Sequence, residues 1–225
     1  MSRGVRIFFR GLSDTLENLL QFVLCSLSWW LCCLTVVLAP GAVVALFAAA
    51  DPRITSGFDR PGPRAFVADA VRHLRRGWKL TLVAAPILAL LTYNLWFYGA
   101  ADSRLSLLTP AWFVLLVIGS LIALSAFSIV ALLDEPPLSA LRAAAVLTGA
   151  RVGHALVVGL LLYALIVLGG LLVVPLFMFL PATVAATIDR LVLDGLRIPI
   201  HDPLAPTDER RVEELVAKDR KRFGP

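Results

Sequence analysis

Thirty-three consecutive residues, Asn18–Ala50, carry no formal charge, with Glu17 before them and Asp51 after. A helix rises about 1.5 Å per residue and the hydrocarbon core of a bilayer is about 30 Å thick, so roughly 20 residues make one crossing. The run is too long for one span and slightly too short for two. Pro40-Gly41 divides it, because proline lacks the amide that the helical ladder needs. The expected arrangement is a full span over 18–38 and a half-length helix over 41–50, joined as a membrane hairpin or re-entrant arm. An apolar run of this length exceeds the core of a signal peptide, about 7–15 residues, and is read as retained.

The rest of the chain asks for the same solvent. Hydrophobic residues make up 59% of it and charged residues 16%, against about a quarter in soluble domains. Three further uncharged runs follow, Leu80–Ala101, Leu105–Leu133 and Ala155–Ile188, the last interrupted by Gly169-Gly170, Pro175 and Pro181. The fold class is therefore all-α, a polytopic transmembrane helical bundle of four to six membrane segments over residues 1–192. The segments are 18–38, 41–50, 80–101, 107–133, 155–172 and 174–190, two of the runs being broken by Pro and Gly. Residues 4–17 are amphipathic and suit a short interfacial helix leading into the first segment. A cytoplasmic tail, 193–225, ends in a short helix that Thr207 can cap, with Asp208 and Glu209 in its first turn and Lys221 and Arg222 in its last.

Arginine and lysine choose the sides. The chain has net charge +5, and in a membrane protein a basic excess marks loops on the inner face rather than a nucleic-acid partner. Between Asp51 and Leu80 stand Arg53, Arg60, Arg64, Arg72, Arg75, Arg76 and Lys79 against three aspartates. Within this segment Phe66, Val67, Ala70, Val71 and Leu74 face away from Arg72, Arg75 and Arg76, which predicts a helix over 64–79 lying along the inner leaflet with Trp78 as its anchor. Basic residues near both chain ends place the N- and C-termini inside as well. The cluster Tyr93-Asn94-Leu95-Trp96-Phe97-Tyr98 then falls at the outer boundary, where aromatic belts sit.

Catalytic chemistry is hard to assemble from these residues. The four uncharged runs hold no Asp, Glu, Lys, Arg or His, whereas ion-coupled transporters keep ionisable groups at membrane depth. His73, His154 and His201 lie in separate segments without metal-site spacing, and no nucleophile elbow, P-loop or H-E-x-x-H occurs. Cys25, Cys32 and Cys33 all sit in the first run, where thiols act as small hydrophobes. No cofactor or metal is expected and the chain is not read as an enzyme. Asn94, with Tyr98 beside it, is the position best suited to touch a ligand.

The order of features resembles the YesL-like family of small bacterial membrane proteins, a domain of unknown function. The resemblance rests on the Leu- and Trp-rich first run entering Ala39-Pro40-Gly41-Ala42-Val43-Val44, the basic segment with Phe66 and Trp78, the Asn94–Tyr98 cluster, and a helix Leu141–His154 before the last apolar block. It covers about Val5–Val192, although Ala48-Ala49-Ala50 replaces the aromatic-rich stretch common after the Pro turn. The resemblance implies a multi-pass protein of the bacterial inner membrane, an accessory component of ATP-driven (ABC-type) carbohydrate uptake whose partners are the lipid bilayer and the permease or ATPase subunits of the importer. The alternative is a self-sufficient small permease or channel.

Overall fold

The computed structural model describes residues 3–54, 62–100, 104–171 and 175–198, and every regular element among them is helical. The expected tail helix after Thr207 lies outside the described residues.

Helix α1 (Arg3–Glu17) is amphipathic. Its buried positions Gly4, Ile7, Phe8, Gly11 and Thr15 follow the helical period, so they form one stripe, which faces α7 and α8. A Cβ on Gly11 would fall 2.9 Å from Thr187 Cα, a backbone approach that only glycine permits there. Arg6, Arg10 and Glu17 are left exposed on the other side. At Asn18 the chain turns by 94° into α2 (Leu19–Leu34).

The division of the 33-residue run falls earlier than Pro40. Helix α2 ends in the turn Thr35–Leu38, where Thr35 Oγ1 donates to Cys32 O at 2.6 Å and accepts from the Leu38 amide at 3.3 Å. Val36 takes φ +55°. Pro40 then sits in the first turn of α3 (Ala39–Ala49), where its missing amide has no helical acceptor to lose. At 16 and 11 residues, α2 and α3 are about 24 and 16 Å long, so neither alone covers a hydrocarbon core.

Helix α4 (Pro63–Gly99) runs 37 residues with Pro86 inside it, about 55 Å in all. The expected boundary between a leaflet-bound helix and a span at Leu80 is absent: the basic half continues straight into the apolar half. Nothing at Lys79-Leu80 terminates a helix; only the polarity changes. From Leu80 to Gly99 the helix covers about 30 Å, one hydrocarbon thickness.

A 3-10 turn (Arg104–Leu108) leads to α5 (Thr109–Leu133), which returns antiparallel to α4. Tyr98 stacks on Trp112 at one end, 5.7 Å between ring centroids, and Arg76 pairs with Asp134 at the other. Helix α6 (Pro137–Ala150) folds back along α5, and α7 (Val152–Leu171) continues in the same sense, with Gly159 against Val117 and Leu121 and Tyr163 edge-on to Phe113. Helix α8 (Pro175–Leu196) closes the bundle. Fully buried side chains from α3, α5 and α8, among them Val44, Phe47, Ile129, Val130, Ile188 and Val192, pack with Phe66 and Leu80 of α4 and Val158 of α7 in one core. Toward the aromatic end, Leu82, Ile87, Leu90, Leu160, Ile166 and Leu168 are exposed. Water does not tolerate so long an apolar face; lipid does. Helices α4, α5 and α7 are long and apolar enough to cross a bilayer, and the bent α1–α2 pair is a fourth candidate.

Candidate functional site

The end of the bundle opposite the aromatic cluster is polar inside as well as out. Asp189 on α8 is fully buried. Ser128 Oγ donates to its Oδ1 at 2.5 Å, while Oδ2 has no hydrogen-bond partner among the described residues. Close by, Asp51 at the end of α3 is held by Arg53, whose Nε lies 2.9 Å from both carboxylate oxygens and whose Nη2 is 2.7 Å from Oδ2. The same Nη2 reaches Leu132 O at 3.3 Å, so Arg53 also closes the last turn of α5. A buried carboxylate with one hydrogen bond is destabilising unless its charge is compensated. Arg53 already serves Asp51, and Asp189 is the least compensated group of the set.

Two further ion pairs radiate from α8. Arg190 clasps Asp14 of α1, Nη2 to Oδ1 at 2.6 Å with Nε on Oδ2. Asp194 takes Arg151 Nη1 at the α6–α7 junction, 3.0 Å from its Oδ2. Steps of 100° per residue turn Asp189, Arg190 and Asp194 toward three different neighbours. Counted inside the uncharged runs alone, the last of which stops at Ile188, ionisable groups are absent, although the expected segment 174–190 takes in Asp189. Helix α8 extends to Leu196 and carries Asp189 into the packed interior. The signal was present in the sequence: Ala182, Ala185, Ala186, Asp189 and Leu193 share one helical face, and all five are buried.

Toward the aromatic end, α4, α5, α7 and α8 leave a cleft of about 410 Å³ walled by Leu88, Val117, Gly159, Leu162 and Ile166, with the hydroxyls of Thr92, Ser120 and Tyr163 among them. The Thr92 hydroxyl is turned to its own helix, donating to Leu88 O at 2.8 Å. Leu124 and Val184 also line the cleft. Ser128 follows Leu124 by four residues and Asp189 follows Val184 by five, so the buried carboxyl lies about 6–8 Å along the helices from the cleft.

Of the residues singled out by sequence, Asn94 donates Nδ2 to Leu90 O at 2.9 Å, within its own helix, and Tyr98 is occupied by Trp112. Neither lines the cleft. Trp78 Nε1 donates to Val37 O at 3.0 Å, fastening the α2–α3 turn to α4. Pro40 and Gly41 lie against Ala70, Leu74 and Gly77 in the closest helix crossing of the α3–α4 pair. Arg72 and Arg75 are exposed. Arg76 donates to Asp134 and so holds that carboxyl below its ordinary value, against a smaller opposing effect of desolvation. Burial pushes the His73 imidazole below its usual value, opposed by Asp69 and reinforced by Arg76 and Arg72. Among the described residues no group of three His, Cys, Asp or Glu side chains is placed to hold a metal.

Comparison of the chain with family models, curated proteins and solved structures finds no match.

Proposed function

We propose that this chain is a non-catalytic component of the bacterial inner membrane that packs beside a carbohydrate importer of the ABC type, with both termini in the cytoplasm. The observation that carries the reading is the lateral cleft. Its walls are aliphatic and its few hydroxyls include one already bonded to its own helix. A sugar needs convergent hydrogen-bonding side chains around it, and among the described residues no carboxylate, amide or cation lines this space. Side chains of an apolar helix from a permease subunit suit it better, because helix association in lipid relies on close packing rather than on hydrophobic transfer. The resemblance to YesL-like proteins supplies the importer as the partner. Purification in mild detergent should recover permease or ATPase subunits, and the bulky Ser120→Trp variant should lose them. Repeated recovery of the chain alone would refute the proposal.

A second reading, a self-sufficient small permease or channel, is favoured by Asp189. A buried ionisable group at the end of a membrane cleft is the kind of residue on which coupled transport depends. Flux into proteoliposomes containing only this chain, abolished in Asp189→Asn, would establish it; a tight bilayer for every sugar tried would end it.

A further inference from the structure

One face of α4 is exposed from end to end. Arg72, Arg75 and Lys79 stand on it at spacings of three and four, followed in the same register by Leu82, Pro86, Leu90, Tyr93 and Phe97, all exposed. The three basic side chains therefore form a stripe about 10 Å long that ends where the lipid-facing apolar stripe begins. Other cations of this polar end are spent on partners: Arg53 on Asp51, Arg76 on Asp134, Arg151 on Asp194 and Arg190 on Asp14. Among the described residues no carboxylate pairs with Arg72, Arg75 or Lys79.

We infer that this face of α4 is a binding site for an anionic phospholipid. Arg72, Arg75 and Lys79 hold the headgroup phosphate, and the acyl chains lie along Leu82, Pro86 and Leu90. Charge complementarity selects the headgroup, arginine offering its paired donors to phosphate oxygens and lysine a point charge. Continuity of the basic and apolar stripes on one helix selects a lipid over a free phosphate or a nucleic acid, neither of which has a use for Leu82 and Leu90. The cation-rich end of a membrane helix attracts anionic lipid in general; here the spacing makes it one face of one helix.

The test uses the full chain in mixed micelles, with phosphatidylglycerol titrated against phosphatidylcholine and bound lipid counted by native mass spectrometry. Phosphatidylglycerol should be retained in preference and should raise the unfolding temperature, with both effects weakening as salt is added. The triple variant Arg72→Gln, Arg75→Gln, Lys79→Gln should lose about 100-fold in headgroup affinity. Arg72→Lys with Arg75→Lys should retain most of it. A variant with the same loss of charge elsewhere, Arg6→Gln, Arg142→Gln, Arg197→Gln, should keep the preference. Equal retention of both lipids by the natural chain, an undiminished preference in the triple variant, or the same stabilisation by inorganic phosphate or by RNA would overturn the assignment.

Discussion

Replacing Gly77 by alanine tests the close crossing of α3 and α4. A Cβ at that position would sit 2.9 Å from the Gly41 amide nitrogen and nearer still to the Pro40 carbonyl, so the atoms in its way are backbone and cannot rotate aside. Overpacking typically destabilises by about 1–3 kcal/mol, and obstruction by backbone puts this site in the upper part of that range, about 2–3 kcal/mol. Alanine also recovers about 1 kcal/mol of helix propensity, which leaves a net loss of roughly 1–2 kcal/mol. For a chain of this size that lowers the melting temperature by about 2–8 °C. Gly149→Ala in α6 is the matched control: among the described residues nothing lies within 4 Å of its added Cβ, and it should stabilise by about 0.5–1 kcal/mol through propensity alone. Thermal unfolding of the three proteins in one detergent, followed by circular dichroism, reads both effects. If Gly77→Ala raises the melting temperature as Gly149→Ala does, α3 and α4 are not in backbone contact and the seating of the α2–α3 arm described above is wrong.

Val36→Gly should stabilise the protein, because Val36 is a β-branched residue at φ +55° whose left-handed strain of about 1–2 kcal/mol exceeds the flexibility glycine adds to the unfolded chain; a lower unfolding temperature would contradict the turn geometry. Arg190→Met should destabilise by about 3 kcal/mol by leaving Asp14 partly buried and unpaired, and the double variant with Asp14→Leu should recover much of the loss, measured by the same unfolding assay. The Arg76–Asp134 pair contributes stability that is fully present above the ordinary pKa of a free aspartate, since the folded carboxyl lies below that value. It is lost as pH falls through the depressed folded value. Asp134→Asn should therefore lose the pair's contribution at neutral pH and flatten the acid limb of the stability profile, the two proteins converging at low pH; an unaltered acid limb would show that the pair makes no contribution.

How much of this was legible beforehand depended on which physical signal the residues carried. Absence of charge over 20 or more residues reports lipid directly, and the α4–α5 hairpin with its aromatic end at Tyr98 and Trp112 followed from it. The presence of a break inside Asn18–Ala50 was also readable, but not its place. Proline marks a helix start as readily as a helix end, and Pro40 occupies the first turn of α3 while Thr35 and Val36 make the actual turn. The separation expected at Leu80 came from a change of polarity, which is no helix terminator, so α4 runs through it. Asp189 was missed because ionisable groups were counted only inside the uncharged runs, which by definition stop short of it, whereas its helical phase with Ala182 and Ala185 shows it turned inward. Asn94 drew notice as a polar residue among aromatics, and its amide satisfies the carbonyl of Leu90 in the preceding turn, the usual fate of such a side chain in an apolar helix.

The crossing hairpin itself is open to one direct measurement. Single cysteines at Arg75 and Glu135, near one end of α4 and α5, and at Leu107, near the other, are introduced in a background where Cys25, Cys32 and Cys33 are replaced by alanine. Each is then labelled in sealed cells with a membrane-impermeant maleimide, before and after permeabilisation. A hairpin that spans the bilayer exposes Leu107→Cys to the outside reagent and protects Arg75→Cys and Glu135→Cys until the membrane is opened. Labelling of all three from the same side would mean that α4 and α5 do not cross.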